Sequence, residues 1–326
     1  MSRFRLSRRI LTALSVLTLG LSALSSAHAE RVIRLVVPFG PGAVQDVIAR
    51  TFNAELGQVL GATVVVENRA GAGGTLGTSQ VAKAAPDGNT LVMSAASHTL
   101  AGHLYPKLAY DPIKDFVGVS LLGYSGYVIA APANLGVNSL NEYVRLLKSK
   151  PGQFNYASAG NGSATHLGMA SFLSKAGAEM QHIPMKSTGD AVNEVLAGRV
   201  QGVTSATIGV VGYRQDPRIK LLAYTGAQRS KFLPEVPSVA EAGVPGYRFD
   251  SWMGVLAPAA TPAAEVQRLN QAMQQVLANP VVQERLARLG VEQVTSPVSS
   301  DEFQKILRAD WDAAGQIVRA SGARLE

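Results

Sequence analysis

Short apolar runs alternate with segments of helical periodicity along most of the chain. Between the first two runs, apolar residues recur at every fourth position from Ile48 to Leu60, and the pattern stops at Gly61, a typical helix C-cap. Strands that alternate with helices are typical of α/β folds with mainly parallel sheets. The first predicted strands are Ile33–Val37, Val64–Val66 and Thr90–Ser94.

A second set of strand and helix units begins near Tyr124. Ser139 and Glu142 have the spacing of a capping box, which predicts a helix start between the first two strands of this set. Two successive sets of strand and helix units predict two lobes. We expect a ligand cleft between the lobes, because ligands of open α/β sheets bind beyond the carboxyl ends of the strands. The predicted strands are Tyr127–Ala131, Phe154–Ala157, Gln181–Ile183, Gly202–Ser205 and Ile219–Tyr224.

The last part of the chain is predicted to return across the structure as helices. A strand at Trp252–Ala257 precedes it, and Ser238 with Glu241 predicts a short capped helix before that strand. The predicted helix starts are Thr261 as N-cap before Pro262, a new helix at Asn279–Pro280, and Ser299 with Glu302.

The first 29 residues have the features of a secretory signal. Four arginines precede the interrupted apolar run Ile10–Leu24, and Ala27-His28-Ala29 fits a small-x-small cleavage site. The run is shorter than the roughly 20 residues that span a membrane. We therefore expect cleavage after Ala29, export to the periplasm and no membrane insertion of the mature chain.

Charge and cysteine content exclude several classes of function. Residues 1–29 contain four arginines and no acid, so the remainder carries a formal charge of +3 rather than +7. It shows no basic stripe with stacking aromatics, which argues against nucleic-acid binding. The chain has no Cys, so disulfides and thiol catalysis are excluded.

The stretch from Arg34 to Asp46 joins a strand to a helix through a Gly/Pro turn that has no side chain suited to covalent or acid–base chemistry. Backbone N–H groups at a helix start are unpaired donors at the positive end of the helix dipole, so they bind anions. We therefore predict that Phe39–Gln45 binds an anionic small molecule.

Hydroxyl and amide side chains collect after the other predicted strands. We interpret the group as the lining of the cleft, while helix capping is an alternative for each residue. The group consists of Ser94, Ser97, His98, Thr99, Ser158, Asn161, Ser163, Thr165, Ser187, Thr188, Thr204, Ser205 and Thr207.

Cofactor and catalytic motifs are incomplete. The glycine pairs Gly71-x-Gly73 and Gly160-x-Gly162 lack the third glycine of a dinucleotide fingerprint, and no P-loop occurs. The histidines lack zinc-motif spacing, so we expect no metal and no cofactor. Ser163 near His166 leaves a secreted serine hydrolase as a less favoured alternative, since no G-x-S-x-G elbow is present.

Several ordered motifs resemble the Bug (TctC-like) family, the extracytoplasmic solute-binding proteins of tripartite tricarboxylate transporters. The resemblance covers nearly the whole mature chain. It rests on Leu35–Asp46, Val65–Gly74, Ala84–Gly88, Tyr156–Ser163, Leu233–Gly243, Ala257-Pro258 and Thr261-Pro262.

The resemblance implies a two-lobed periplasmic-binding-protein (Venus-flytrap) fold. Lobe 1 would comprise residues 30–123 and 252–326, and lobe 2 residues 124–251. Such a protein captures a small carboxylate as a monomer and delivers it to transporter membrane subunits; partnership with a membrane signalling receptor is the alternative.

The resemblance also implies site residues. From side-chain chemistry alone, Phe39, Tyr124 or Trp252 is expected to supply apolar contact to the ligand; core or hinge packing is the alternative for each and is favoured for Trp252. The implied site in lobe 1 is Phe39, Gly42, Ala43, Val44, Gln45, Ala96, Ser97 and His98; in lobe 2 it is Ser158, Asn161, Ser163, Lys186, Ser187, Thr188, Asp190, Thr204 and Ser205.

Two departures from the family pattern bear on the ligand. Val44 and Gln45 follow Gly42-Ala43 where many members have a glycine pair, which reshapes the first wall. Many members also carry Phe-Asp-Asn near residues 202–205, where this chain has Thr204-Ser205-Ala206. The missing acid argues against a ligand ammonium.

Overall fold

The computed structural model describes residues 31–294 and 296–321. Its strands form one curled sheet of ten strands with the order β2-β1-β3-β9-β4-β7-β5-β6, and β8 and β10 both pair with β4. The strands are β1 Val32–Val37, β2 Thr63–Asn68, β3 Thr90–Ala95, β4 Phe116–Pro132, β5 Asn155–Ser158, β6 Gln181–Pro184, β7 Gly202–Ala206, β8 Ile219–Tyr224, β9 Asp250–Pro258 and β10 Glu292–Gln293.

Ten α-helices cover the sheet in the described part of the chain. The first ends at Gly61, whose left-handed φ of 60° confirms the predicted C-cap. The helices are α1 Val44–Leu60, α2 Thr75–Ala82, α3 Ser97–Leu104, α4 Leu140–Ser149, α5 Ala164–Ala176, α6 Thr188–Leu196, α7 Thr207–Val210, α8 Ala263–Leu277, α9 Pro280–Arg288 and α10 Ser300–Ser321.

The sheet is mixed, so the prediction of mainly parallel strands is wrong. Strand β1 is parallel to β2 and β3, and β5 is parallel to β6 and β7. Strands β4 and β9 are antiparallel to their neighbours. The two parallel groups match the two predicted sets, and the antiparallel strands join them at the centre.

Strand β4 is much longer than the predicted Tyr127–Ala131. Residues 116–126 pair with β9, and residues 127–132 pair with β7 and β8. The first part was missed because Gly118, Gly123 and Gly126 resemble turn residues. In the structure these glycines allow close approach: a Cβ at Gly118 would lie 2.8 Å from the Phe303 ring, and one at Gly126 would collide with the Tyr224 ring.

Three expectations about the segments after residue 95 need correction. Residues 97–104 form helix α3, where only a polar loop was expected. Thr261 is not a cap: Pro262 is the N-cap of α8, and Thr261 Oγ1 is buried without a partner among the described residues. Ser238 and Glu241 exchange both capping-box hydrogen bonds, but they close a turn rather than a helix.

Four clusters of buried apolar side chains pack on the sheet in the described part of the chain. The two main cores lie on different parts of the sheet, one built around Phe52 and Met273 and the other around Tyr143 and Phe172. Helix α10 connects the two parts, because Phe303 packs with Trp252 near the first core while Ala314 and Val318 belong to the second. The predicted lobe boundaries fall inside β4 and β9, which both parts share. The division into two lobes at these boundaries stays a prediction.

None of the described helices is both long enough and apolar enough to cross a bilayer.

Candidate functional site

A cavity of about 490 Å³ lies where β3, β4 and β9 approach α10. Its size is in the range of small-molecule sites. The lining comprises Phe39, Val44, Gln45, Ala95, Ala96, Ser97, Leu100, Tyr124, Ser125, Tyr127, Ala164, Ala206, Ile208, Arg248, Phe249, Asp250, Ser251, Trp252, Met253, Leu289, Ile306, Ala309, Asp310, Ala313, Ala314 and Ile317.

Three of the described helices begin at this cavity. Val44, Ser97 and Ala164 are the first residues of α1, α3 and α5, and all three line it. The N-caps of α1 and α3 are Ala43 and Ala96, which provide no side-chain acceptor for the first N–H groups. The positive ends of two uncapped helices therefore face the same space.

The turn before α1 is held from outside the cavity by Asp46. Its carboxylate accepts from the Gly42 N–H at 2.9 Å and from Asn68 Nδ2 at 2.9 Å, while Asn68 also donates to the Phe39 carbonyl at 3.0 Å. Burial opposes ionisation of Asp46, but these bonds and the one from Arg50 lower its pKa. A charged Asp46 therefore fixes the turn while the helix start stays open.

Arg248 is the cationic side chain in the lining as described. Its Nε donates to Asp250 Oδ2 at 2.8 Å, and its guanidinium carbon lies 5.3 Å from the centre of the Tyr124 ring. Burial raises the pKa of Asp250, although Arg248 acts in the opposite direction. The pair places one positive and one negative charge on the same wall.

Asp310 on α10 adds a second carboxylate to that wall. Its Oδ2 accepts from Trp252 Nε1 at 2.8 Å and from the Thr99 hydroxyl. Burial raises the pKa of Asp310; the two hydrogen bonds lower it, and the charge of Asp250 raises it further. The two acids are therefore close enough to interact electrostatically.

The rest of the cavity is largely apolar. Helix α10 contributes Ile306, Ile317 and three alanines, and the rings of Tyr127 and Phe249 lie 5.3 Å apart between their centres. Such a wall suits the hydrocarbon body of a small ligand.

Five of the eight implied residues of lobe 1 line the cavity: Phe39, Val44, Gln45, Ala96 and Ser97. Gly42 and Ala43 lie in the turn just before this wall. His98 is buried elsewhere, against Tyr110 and Phe116, with Nε2 2.8 Å from the Pro112 carbonyl oxygen. Burial lowers the pKa of His98 to about 4, which indicates a neutral packing residue.

The implied residues of lobe 2 lie outside this lining, although the adjacent Ala164 and Ala206 belong to it. Several of their polar groups have partners within the fold. Ser163 and Ser187 accept from the N–H groups of His166 and Asp190, so both act as helix caps. The residues outside the lining are Ser158, Asn161, Ser163, Lys186, Ser187, Thr188, Asp190, Thr204 and Ser205.

Ser158 and Thr204 lie deeper in the same region. Ser158 Oγ is 2.6 Å from His182 Nε2, and His182 stacks on His166 with 3.9 Å between ring centres. Thr204 Oγ1 is buried without a partner among the described atoms. A ligand contact for this set stays a prediction.

Sequence reasoning missed Arg248, Asp250 and Asp310. A signal existed for Asp310, because it occupies an apolar-stripe position of its helix, in step with Phe303, Leu307 and Ala314. Arg248 and Asp250 precede a strand and gave no comparable signal. The described residues contain no group of metal-binding side chains that could hold an ion.

The chain is similar to known solute receptors. The family described as "Tripartite tricarboxylate transporter family receptor" (TctC) matches residues 48–323. BugT of Bordetella pertussis is 33% identical over 315 residues, which cover 95% of this chain and 96% of BugT.

Solved structures agree with this assignment. The periplasmic binding protein BugD has a TM-score of 0.75 at 31% identity and covers 92% of this chain and 100% of its own. MatC (Rpa3494) from Rhodopseudomonas palustris with bound malate has a TM-score of 0.73 at 30% identity, with coverages of 88% and 99%. R. palustris Rpa4515 with adipate has a TM-score of 0.77 at 29% identity, with coverages of 91% and 100%.

These similarities confirm the predicted two-lobed α/β periplasmic-binding-protein fold and the predicted family. The family match at residues 48–323 includes strands β2 to β10 and the C-terminal helices α8 to α10. The chain belongs to the TctC family of tripartite tricarboxylate transporter receptors.

Proposed function

We propose that this protein captures a small carboxylate in the 490 Å³ cavity and delivers it to the membrane subunits of a tripartite transporter. The family supports the receptor role, and relatives of the same fold hold malate and adipate. In this chain the carboxylate binds at the starts of α1 and α3.

The observation that carries the proposal is the pair of uncapped helix starts at one cavity. Ala43 and Ala96 leave the first N–H groups of both helices without a side-chain acceptor. A ligand carboxylate supplies that acceptor and also interacts favourably with both helix dipoles. Ser97 and Gln45 lie beside these amides and add polar side chains.

The hydrocarbon part of the ligand then lies against Phe39 and the apolar face of α10. Phe39 lines the cavity on the same side as the α1 turn, and Ile306 and Ile317 face it from the helix. Because these contacts have no directionality, they set the size of the ligand rather than its charge.

The setting of the protein follows from the family and from the N-terminal sequence. Residues 1–29 lie outside the described residues, and we propose that they direct export and are removed after Ala29. The mature receptor acts in the periplasm as a monomer and releases its ligand unchanged. The Ser158–His182 pair is not a catalytic site in this proposal, since Ser158 is buried outside the cavity lining.

A thermal-shift screen tests capture directly. Mono-, di- and tricarboxylates, amino acids and aromatic acids are titrated against the purified exported protein, with the amide of each acid as the matched control. A ligand that binds only the native state raises the melting temperature with concentration. We expect at least one acid to do so and its amide not to; equal shifts from neutral amides would contradict the proposal.

Uptake tests the second half of the proposal. Deletion of the gene is expected to abolish uptake of the labelled ligand, and expression of the full chain is expected to restore it. The recovered ligand should be chemically unchanged after long incubation with the protein. Normal uptake without the gene would favour the signalling alternative, and a converted ligand would favour an enzyme.

A further inference from the structure

The charged side chains on one wall of the cavity repel a second carboxylate of the ligand instead of attracting it. Asp250 and Asp310 both line the cavity, against one guanidinium from Arg248. Two carboxylates and one cation leave this wall with an excess of negative charge. Asp310 accepts from Thr99 in the first turn of α3, so the start of α1, preceded by Ala43, is the open helix start that neither acid contacts.

Arg248 is already engaged and is not a free anchor for an anion. Its Nε bonds Asp250 at 2.8 Å, and its guanidinium lies over the Tyr124 ring. The Asp250 side chain is only 14% exposed. A ligand carboxylate at Arg248 would have to share the cation with Asp250, and displacing Asp250 would leave a largely buried charge unpaired.

Asp310 is fixed in position by two donors. Trp252 Nε1 and the Thr99 hydroxyl both donate to Oδ2, and Trp252 is itself fully buried. Neither donor carries a positive charge, so these hydrogen bonds orient the carboxylate without neutralising it, and Arg248 is the cation in the lining that acts on it. The charge of Asp310 therefore acts on whatever part of the ligand reaches α10.

We propose that Asp310 and Asp250 make this receptor selective for a monocarboxylate that carries a hydrogen-bond donor, such as a hydroxyl or an amine, at its far end. The single carboxylate binds at the start of α1, the apolar body lies along α10, and the donor faces the two acids. A dicarboxylate of the same length is excluded because its second charge meets theirs. This inference rests on the proposed carboxylate-binding function.

Matched ligand series test the selectivity. Each series contains a straight-chain dicarboxylate, the ω-hydroxy acid, the ω-amino acid and the plain monocarboxylate, at lengths of about three to eight carbons. Binding to the purified exported protein is measured by calorimetry. We expect the best ω-hydroxy or ω-amino acid to bind at least ~10-fold more tightly than the dicarboxylate of equal length.

Charge-removing variants identify the residues responsible. Asp310→Asn and Asp250→Asn keep the side-chain shape. The amide oxygen of Asp310→Asn can still accept from Thr99 and Trp252, and that of Asp250→Asn can still accept from Arg248. Each is expected to raise dicarboxylate affinity at least ~5-fold and to change affinity for the plain monocarboxylate by less than ~2-fold. Asp312→Asn is the matched control, because Asp312 lies on the same helix, is exposed and is outside the lining.

The outcomes separate the inference from the function on which it rests. If dicarboxylates bind most tightly to the unmodified protein, or if both Asn variants leave the ligand ratio unchanged while they still melt cooperatively, the selectivity is wrong and carboxylate capture stands. If no acid of any series binds, the proposed function itself fails. Folding of the variants is checked from their melting curves.

Discussion

Two helix starts in lobe 1 differ from two in lobe 2 at one position, the N-cap. Helices α1 and α3 are preceded by Ala43 and Ala96, which cap nothing, and both begin at the cavity. Helices α5 and α6 are preceded by Ser163 and Ser187, whose hydroxyls accept from the helix N–H groups. A capped helix start binds an anion less favourably than an uncapped one, because the cap already accepts from one of its N–H groups. Hydroxyl-rich turns therefore mark satisfied helix ends here, and alanine N-caps mark the open ones.

Adding a cap to α1 is expected to have the largest effect on binding. Ala43 has φ −63° and ψ 156°, which suit an Asp N-cap. In Ala43→Asp the new carboxylate accepts from the amides that the ligand needs and repels its charge. Carboxylate affinity should fall by ~100-fold, or ~2.7 kcal/mol, in calorimetry.

Pro262→Asp is the control for that experiment, because it adds the same group at the N-cap of α8, outside the cavity lining. It should leave affinity unchanged. An equal loss of carboxylate affinity in both variants would point to a general charge effect. Unchanged affinity in Ala43→Asp would contradict the idea that the ligand binds at the uncapped start of α1.

The stability of the region around the capped start of α5 should also depend on pH. His166 Nδ1 accepts from the Gly162 N–H at 3.1 Å, and the His166 ring stacks on His182. Burial, and then the charge of His182, lower the pKa of His166 to about 4 from an ordinary 6.5. Between these values the unfolded chain binds a proton that the native state does not. Stability is therefore full above pH 6.5 and is lost as the pH falls towards 4, by ~1–2 kcal/mol once solvent screening of the partly buried ring is allowed for.

Urea unfolding across that pH range measures the effect. His166→Gln has no group that titrates there, so its stability should fall less steeply than that of the unmodified protein. Parallel curves for the two proteins would show that this ring does not make the capped region sensitive to acid.

Much of this architecture was readable from local sequence, and the charged wall was not. The strands at Ile33–Val37 and Ile219–Tyr224 and the helix stop at Gly61 follow from periodicity and turn chemistry, which are local. Arg248 and Asp310 are far apart in the chain, and they line the same cavity only because α10 packs back beside β9. Long-range juxtaposition of this kind leaves no periodic trace.

Removing the caps should affect stability rather than binding. Ser163→Ala and Ser187→Ala each remove the acceptor for one helix N–H group, at a cost of ~1 kcal/mol. Ligand affinity should change by less than ~3-fold, since neither hydroxyl lines the cavity. Ser149→Ala is a control, because its hydroxyl donates to the carbonyl of Leu146 at the other end of a helix. A large loss of ligand affinity without loss of stability would show that the hydroxyls of Ser163 and Ser187 contact the ligand.

The cations Lys186 and Arg248 both lie near the cleft, and replacing Lys186 is expected to have the smallest effect on carboxylate affinity. Sequence implied Lys186 as a ligand contact, whereas the structure places Arg248 in the lining and Lys186 outside it. Lys186→Gln should therefore change carboxylate affinity by less than ~2-fold at physiological salt, because an exposed charge outside the cavity is screened within about 8 Å. Calorimetry at low and high salt separates long-range attraction from contact: attraction disappears with salt, and contact does not. A loss of ~5-fold or more that persists at high salt would mean that the α6 turn closes onto the ligand, and lobe 2 would then contribute directly despite its capped helix starts.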